Sequence, residues 1–259
     1  MESITFPDGE VVELKFDGRF HLYKVDGEII PSATKVLGVI NKPALIPWSL
    51  KMGADWLASQ LFCDTESSTK KVTMLKAFTP LADLLAGMKG AHKNYTHKAL
   101  VTGTEAHNWV ESYIKYLMGD GEEPAPSQED EVHTACSAFT LWLEEHDVEF
   151  IGAEEKIYSR DFKYTGTYDA QAIVDGKLTI IDWKTSKSIY PEYHLQNAAY
   201  AGAFEEIHSD KEVDQTMVLR LDKRYGSYEA EVMDREQWLK NHKAFLAALL
   251  LYNRLKELK

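Results

Sequence analysis

Asp169, Asp182 and Lys184 are the residues whose types and spacing point to chemistry, because one hairpin gathers them. Residues 167–184 read Thr-Tyr-Asp-Ala-Gln-Ala-Ile-Val-Asp-Gly-Lys-Leu-Thr-Ile-Ile-Asp-Trp-Lys, with Asp175-Gly176 as a two-residue turn signal between β-branched runs. If that pair is the loop, Val174 pairs with Lys177, Asp169 lies opposite Asp182, and Thr167 lies opposite Lys184. Side chains alternate along a strand, so Asp182 and Lys184 share a face with Asp169 across from them. Directly opposed Cβ atoms stand roughly 5 Å apart, where like charges destabilise a sheet. A divalent cation between the carboxylates would remove that penalty, since hard cations take oxygen ligands. A lysine beside two metal-binding carboxylates is a hydrolytic constellation. The competing reading is a solvated sheet face with Lys184 in a rim ion pair. Against it, Ile180, Ile181 and Trp183 surround Asp182, so the strand is expected to be buried on both faces, where charges need partners or metals.

The chain that must position these groups has 259 residues, enough for one large domain or two small ones, and its 44% hydrophobic and 11% aromatic content can bury a core. Cys63 and Cys136 are too few for a disulfide framework or an iron–sulfur cluster, which points to a reducing compartment. The acidic start lacks the features of a secretory or import signal, so a cytoplasmic protein is expected. No run approaches the roughly 18 apolar residues of a membrane helix. A net charge of −12 argues against coating nucleic acid by bulk attraction, but leaves room for a local phosphate-gripping cleft. Neither a Gly-x4-Gly-Lys-Ser/Thr loop nor Gly-x-Gly-x-x-Gly is present, so ATP or dinucleotide chemistry has no support.

Residues 11–31 read as an antiparallel meander turning at Asp17-Gly18 and Asp26-Gly27, with Ser32 or Thr34 as a helix cap. A helix is expected over residues 48–62, with Leu50, Ala54, Leu57, Ala58 and Leu61 on one face. Further helices are expected over 103–118, 132–146, 191–207 and 234–258. Strands are expected over 148–158, in the opening hairpin, and near 216–221 and 228–233. The whole reads as one domain: a meander and lead-in over 1–47, a helical half over 48–147, and a sheet core with a closing helix over 148–259. The fold class is α/β (α+β), a mixed central sheet with helical cover.

Within the helical half, residues 67–104 stand out by charge. Lys70, Lys71, Lys76, Lys89, Lys93 and Lys98 face a single acid, Asp83, for a net +5 in an acidic chain. The segment is either a solvated helical face or a wall that tracks phosphates, with Lys70, Lys71, Lys89 and Lys93 as the candidate contacts. In the next helix, His107 aligns with Val110, Ile114 and Leu117 on an apolar stripe, where a lone histidine is ordinarily a satisfied core residue.

Five pieces in order resemble the PD-(D/E)XK nuclease superfamily, in particular its RecB-like exonuclease branch. They are His107 in Gly-Thr-Glu-Ala-His, Glu154 or Glu155 in Gly-Ala-Glu-Glu-Lys-Ile, Asp169 in Gly-Thr-Tyr-Asp, Asp182-Trp183-Lys184-Thr185, and Gln196-x3-Tyr200. The match covers residues 103–207, and Ile30–Leu37 is similar to the amino-terminal segment of mitochondrial genome maintenance exonucleases and related phage proteins. The four cluster cysteines and the helicase motor of some relatives are missing.

The resemblance implies an αβββαβ core and a metal-dependent DNA exonuclease of recombination, replication or repair, acting on single strands or duplex ends. One or two Mg²⁺ or Mn²⁺ ions would be held by His107, Asp169, Asp182 and the Trp183 carbonyl. Glu154, favoured over Glu155, would complete the catalytic set with Lys184, Gln196 and Tyr200. Ser32, Thr34 and Thr185 would touch nucleic acid, and a recombination or replication protein is a further expected partner. A site-specific endonuclease and a silent DNA end-binding module are the alternatives.

Overall fold

The computed structural model describes residues 2–20, 22–67, 70–75 and 80–258, with side chains described outside 61–75. In chain order its elements are β1 (Glu2–Thr5), β2 (Val11–Asp17), β3 (Leu22–Val25), β4 (Glu28–Ile30), α1 (Ala33–Leu37), α2 (Leu45–Leu61), β5 (Phe62–Ser67), β6 (Lys70–Leu75) and α3 (Leu81–Leu117). There follow α4 (Asp130–Glu145), β7 (Val148–Ser159), β8 (Tyr164–Val174), β9 (Lys177–Lys184), α5 (Pro191–Ile207), β10 (Gln215–Leu221), β11 (Tyr228–Asp234) and α6 (Arg235–Glu257). They form two compact units, one of Met1–Ile40 with Gly103–Lys259, the other of Asn41–Thr102.

The first unit holds a five-stranded sheet in the order β11-β10-β9-β8-β7. Its strands are antiparallel except β9 and β10, which run parallel. A parallel pair needs a crossover, and α5 supplies it. The succession α4-β7-β8-β9-α5-β10 is therefore the αβββαβ order expected. The Asp175-Gly176 turn has φ of 50° and 79°, the left-handed pair that a two-residue hairpin requires. Its ladder runs from Val174↔Lys177 to Ala170↔Ile181, the expected register.

Adjacent residues of β9 divide between two cores. Ile180 packs with α1, α5 and α6, whereas Ile181 and Trp183 pack with α3 and α4. The α5 face is built of buried Ala198, Ala199, Ala201 and Ala203, small enough to bring the helix close to the strands. Among them Asn197 donates to the carbonyls of Ile180 at 3.2 Å and Met217 at 2.9 Å, pinning α5 to β9 and β10. Trp142, Trp183 and Trp238 are fully buried, and aromatic burial of this size is worth about 4–6 kcal/mol each as an upper bound. A second sheet, β1-β2-β3-β4, packs Ile4, Phe6, Val12, Leu14, Tyr23 and Val25 around Tyr158 of β7. Helix α6 starts with a capping box, Gln237 N–H donating to Asp234 Oδ1 at 2.8 Å and Asp234 N–H to the side-chain Oε1 of Gln237 at 3.0 Å.

In the second unit α2 lies along α3, with the Trp56 ring against Gly87, where a Cβ would stand 1.9 Å from it. Three expectations change. The helix holding His107 begins at Leu81 rather than at residue 103. Its extra turns are rich in Ala, Leu, Lys and Met, but Gly87 and Gly90, each costing about 1 kcal/mol in a helix, break the sequence pattern. Strands β5 and β6 form a hairpin within the expected helical half, joined by a segment without the usual glycine turn signal. The buried face of α2 is set by Gly53 and Trp56, and Leu50, expected on the apolar face, is exposed. Among the described residues no helix is long and apolar enough to cross a membrane.

Candidate active site

Beyond Ala170↔Ile181 the next residues of β8 and β9 are Asp169 and Asp182. Here a side chain takes over from the ladder, as Asp169 Oδ2 accepts the Trp183 N–H at 2.7 Å. The other oxygen, Oδ1, faces His107 Nδ1 at 3.7 Å. His107 reaches it from α3, its ring 5.9 Å from that of Trp183. Ala106, Val110 and Ile114 form the buried stripe of α3, with His107 beside it and Leu117 exposed.

The alternation of β8 slips at this point. Tyr164 and Tyr168 pack in the α5–α6 core, but Ala170, Ala172 and Val174, of the same parity, pack in the α3–α4 core. On β7 the flanking pairs are Ala153↔Ala170 and Glu155↔Tyr168, and Glu154 between them has φ 53°. A left-handed conformation costs a non-glycine residue about 1–2 kcal/mol. The kink separates the two glutamates. Glu155 accepts the Tyr168 hydroxyl, whereas Glu154 joins His107 and Asp169, with one ligand atom from each within 4.8 Å of the others.

Lys184 Nζ stands 2.7 Å from Asp182 Oδ1 and 2.6 Å from Oδ2, in a pair whose side chains are 18% and 2% exposed. The ammonium also lies over the Tyr193 ring, 5.2 Å from its centroid. From α5, Gln196 donates to the Tyr200 hydroxyl and to Thr34 Oγ1 at 3.2 Å. The Tyr200 ring covers Gly166 so closely that a Cβ there would stand 2.4 Å from it, which accounts for the glycine of Gly-Thr-Tyr-Asp. Ser32 caps α1 through the Lys35 N–H at 3.2 Å and bridges to Thr165 of β8. Thr185 lies against Gly103 of α3, its Oγ1 3.2 Å from where a Cβ would be.

The electrostatics are those of crowded, desolvated acids. Burial raises Glu154 to about 8, with Asp169 and Glu111 adding to it. Burial raises Asp169 to about 6 against the pull of Lys184 and the Trp183 N–H. Asp182 also rises to about 6 through burial, which Lys184 opposes and Asp169 reinforces. Burial would lower Lys184, but Asp182 and Asp169 outweigh it and hold the ammonium above its usual range. His107 is pushed down to about 4, chiefly by burial and then by Lys184, and is neutral near pH 7.

Such a set fits a divalent cation. His107, Glu154 and Asp169 offer one neutral imidazole nitrogen and two carboxylates within one small volume, a donor mix that could hold a divalent metal ion. A cation would offset the burial, and the lesser repulsion, that raise the carboxylates.

Sequence reasoning missed three groups. Glu111, one turn beyond His107 on α3, acts electrostatically on both Glu154 and Asp169, and its i+4 spacing was the available signal. Tyr193, at the start of α5, lies over the Lys184 ammonium, and no local spacing signal links the two. The Tyr23 hydroxyl, brought in by the meander, lies 2.9 Å from Thr167 Oγ1. Of the expected basic contacts, Lys89 and Lys93 are exposed on α3 within the second unit. Lys70 and Lys71 lie in β6, whose side chains are outside the described residues.

No known family profile matches the chain, and no curated protein matches it. Among solved structures it is similar to the alkaline exonuclease LHK-Exo from Laribacter hongkongensis, at 18% identity over 59% of this chain and 86% of that one, with a TM-score of 0.28. It is similar also to LHK-Exo in complex with dAMP, at 16% identity over the same shares and a TM-score of 0.29. Likeness at this level carries no functional inference, which rests instead on the geometry of the site.

Proposed function

We propose that the protein is a divalent-metal-dependent nuclease that hydrolyses phosphodiester bonds in DNA, working as an exonuclease on single-stranded or end-bearing substrates. The observation that carries this reading is the buried Asp182–Lys184 pair beside the cluster of His107, Glu154 and Asp169. Such a group has no structural use that an apolar residue would not serve better, because buried ion pairs contribute little net stability.

His107, Glu154, Asp169 and Asp182 would hold one or two Mg²⁺ or Mn²⁺ ions. When bound, the cation supplies a water of lowered pKa and neutralises charge on the phosphate. The chain's own groups do the rest. Lys184, anchored by Asp182, offsets the charge that builds on the phosphate oxygens and orients the attacking water. The Trp183 N–H aims Asp169, and Gln196 links Tyr200 and Thr34 into a wall beside β8. Ser32, Thr34 and Thr185 line the strand's path, and Lys89 and Lys93, with Lys70 and Lys71, track its phosphates. A role in recombination, replication or repair, in the cytoplasm and beside a protein partner, accords with this activity. Incubation of end-labelled linear and closed-circular single-stranded DNA with Mn²⁺ tests it: an exonuclease shortens the linear strand and spares the circle.

A further inference from the structure

Tyr190 and Tyr193 stand at the start of α5, where Pro191 occupies the first turn and the Tyr193 N–H donates to the Tyr190 carbonyl at 2.9 Å. Their rings meet edge to face, 5.5 Å between centroids and 79° between planes. Tyr193 is half-buried and turns its face to Lys184 Nζ, whereas Tyr190 is 42% exposed. Neither ring belongs to the three hydrophobic cores. We propose that the two tyrosines form a ledge on which Tyr193 holds the Lys184 ammonium in place and Tyr190 seats the nucleobase next to the phosphate being cleaved.

The argument for Tyr193 is geometric. Lysine carries four methylenes and several freely rotating bonds, and Asp182 restrains its ammonium through one carboxylate only. The ring face closes a second side of the cation and narrows its freedom, and a cation–π contact strengthens when desolvated, as here. Tyr193 is thus a positioning residue acting through Lys184. A phenylalanine presents the same face, so the hydroxyl is dispensable.

The argument for Tyr190 comes from exposure and place. An aromatic ring open to solvent, packed edge to face on the ring that covers the ammonium, offers a flat surface on which a base beside the site can stack. A base in a duplex is already stacked and paired, so an exposed ring takes up a base at least cost from an unpaired strand. The ledge therefore selects single-stranded or frayed ends. This inference rests on the nuclease reading of the site.

The test compares the full-length wild type with Tyr193→Leu, Tyr193→Phe and Tyr190→Ala, with Mn²⁺. The substrates are a single-stranded oligonucleotide and the same strand with abasic residues at its digested end. Tyr193→Leu, which keeps apolar bulk without a ring face, is expected to lower kcat about tenfold on both strands with little change in KM. Tyr193→Phe is expected to stay within about threefold of wild type, a rescue that a merely structural hydroxyl would not allow. Tyr190→Ala is expected to raise KM about fivefold on the normal strand and leave it unchanged on the abasic one. Wild-type kcat in Tyr193→Leu, or an equal KM effect of Tyr190→Ala on both strands, overturns the inference while leaving the nuclease reading intact. A wild type that cleaves neither strand overturns the nuclease reading itself.

Discussion

The Asp169 carboxylate accepts the backbone N–H of Trp183 at 2.7 Å, immediately beyond the last backbone pair of the β8–β9 ladder. One oxygen thus closes the hairpin while the other is left facing His107. The bond orients a carboxylate that burial raises to about 6 and that the Trp183 N–H pulls back down. It couples the fold of the hairpin to the geometry of the site.

Removing Lys184 should separate catalysis from binding. In Lys184→Ala, kcat is expected to fall at least about 10³-fold, the scale of losing one preorganised charge in a transition state. DNA affinity is expected to stay within a few-fold, read by fluorescence anisotropy with Ca²⁺. The protein also loses stability, because Asp182 keeps its burial without its partner, a change that costs on the order of 3 kcal/mol. Undiminished cleavage in the purified variant would contradict the assigned role.

Glu154 sets a pH dependence of stability in the metal-free protein. Its folded pKa of about 8 lies above the ordinary 4.5, so its contribution is fully present below pH 4.5 and is lost progressively as pH rises to about 8. Glu154→Gln removes that slope. In EDTA, the variant's melting temperature should gain on wild type between pH 5 and 8, by an amount corresponding to a few kcal/mol, and level off above that. Parallel curves for the two proteins would show that Glu154 is not the crowded acid described.

How much of this was legible in the sequence depends on what each feature needs. The ladder from Val174↔Lys177 to Ala170↔Ile181 follows from counting outward from a two-residue turn, which announces itself as Asp-Gly flanked by β-branched residues; the backbone pairing stops one step short of Asp169 and Asp182, where the Asp169 carboxylate takes the Trp183 N–H instead. The burial of β9 follows from Ile180, Ile181 and Trp183, and α5 follows from its Pro191 start. The left-handed kink at Glu154 leaves no mark, because a glutamate, unlike Gly, Asn or Asp, does not signal a positive φ. The slip in alternation at Asp169 is equally silent, since strand periodicity assumes regular pleating. Glycines within α3 obscured its first turns, as Gly87 answers to Trp56 across the helix pair and not to helix propensity. The Tyr193–Lys184 contact joins residues nine positions apart across a loop, beyond the reach of local spacing rules.

Gly166 provides a structural test at a residue that itself carries no reacting group. Gly166→Ala forces a methyl into the buried Tyr200 ring, 2.4 Å from its nearest carbon. Overpacking of this kind costs about 1–3 kcal/mol. The variant should melt at a lower temperature and lose activity through displacement of Tyr200 and Gln196, whereas Gly166→Ala combined with Tyr200→Leu should recover part of the stability. Urea denaturation of the single and double variants reads both effects.

The lysines of the basic segment should act through charge alone. Replacing Lys70, Lys71, Lys89 and Lys93 together by glutamine should weaken single-strand binding and reduce the slope of log affinity against log salt by about 3, near 0.7 per phosphate contact. The rate of cleavage at saturating DNA should change little. An unaltered salt slope would remove these lysines from the interface.

Metal-dependent strand hydrolysis at Asp182 is read by incubating purified wild type and Asp182→Asn with 5′- and 3′-labelled single-stranded DNA in Mn²⁺, Mg²⁺ or EDTA. The expected result is progressive shortening of the strand by wild type with either metal, none in EDTA, and none by Asp182→Asn under any condition. Shortening that persists in EDTA, or that Asp182→Asn performs as well as wild type, would contradict the account.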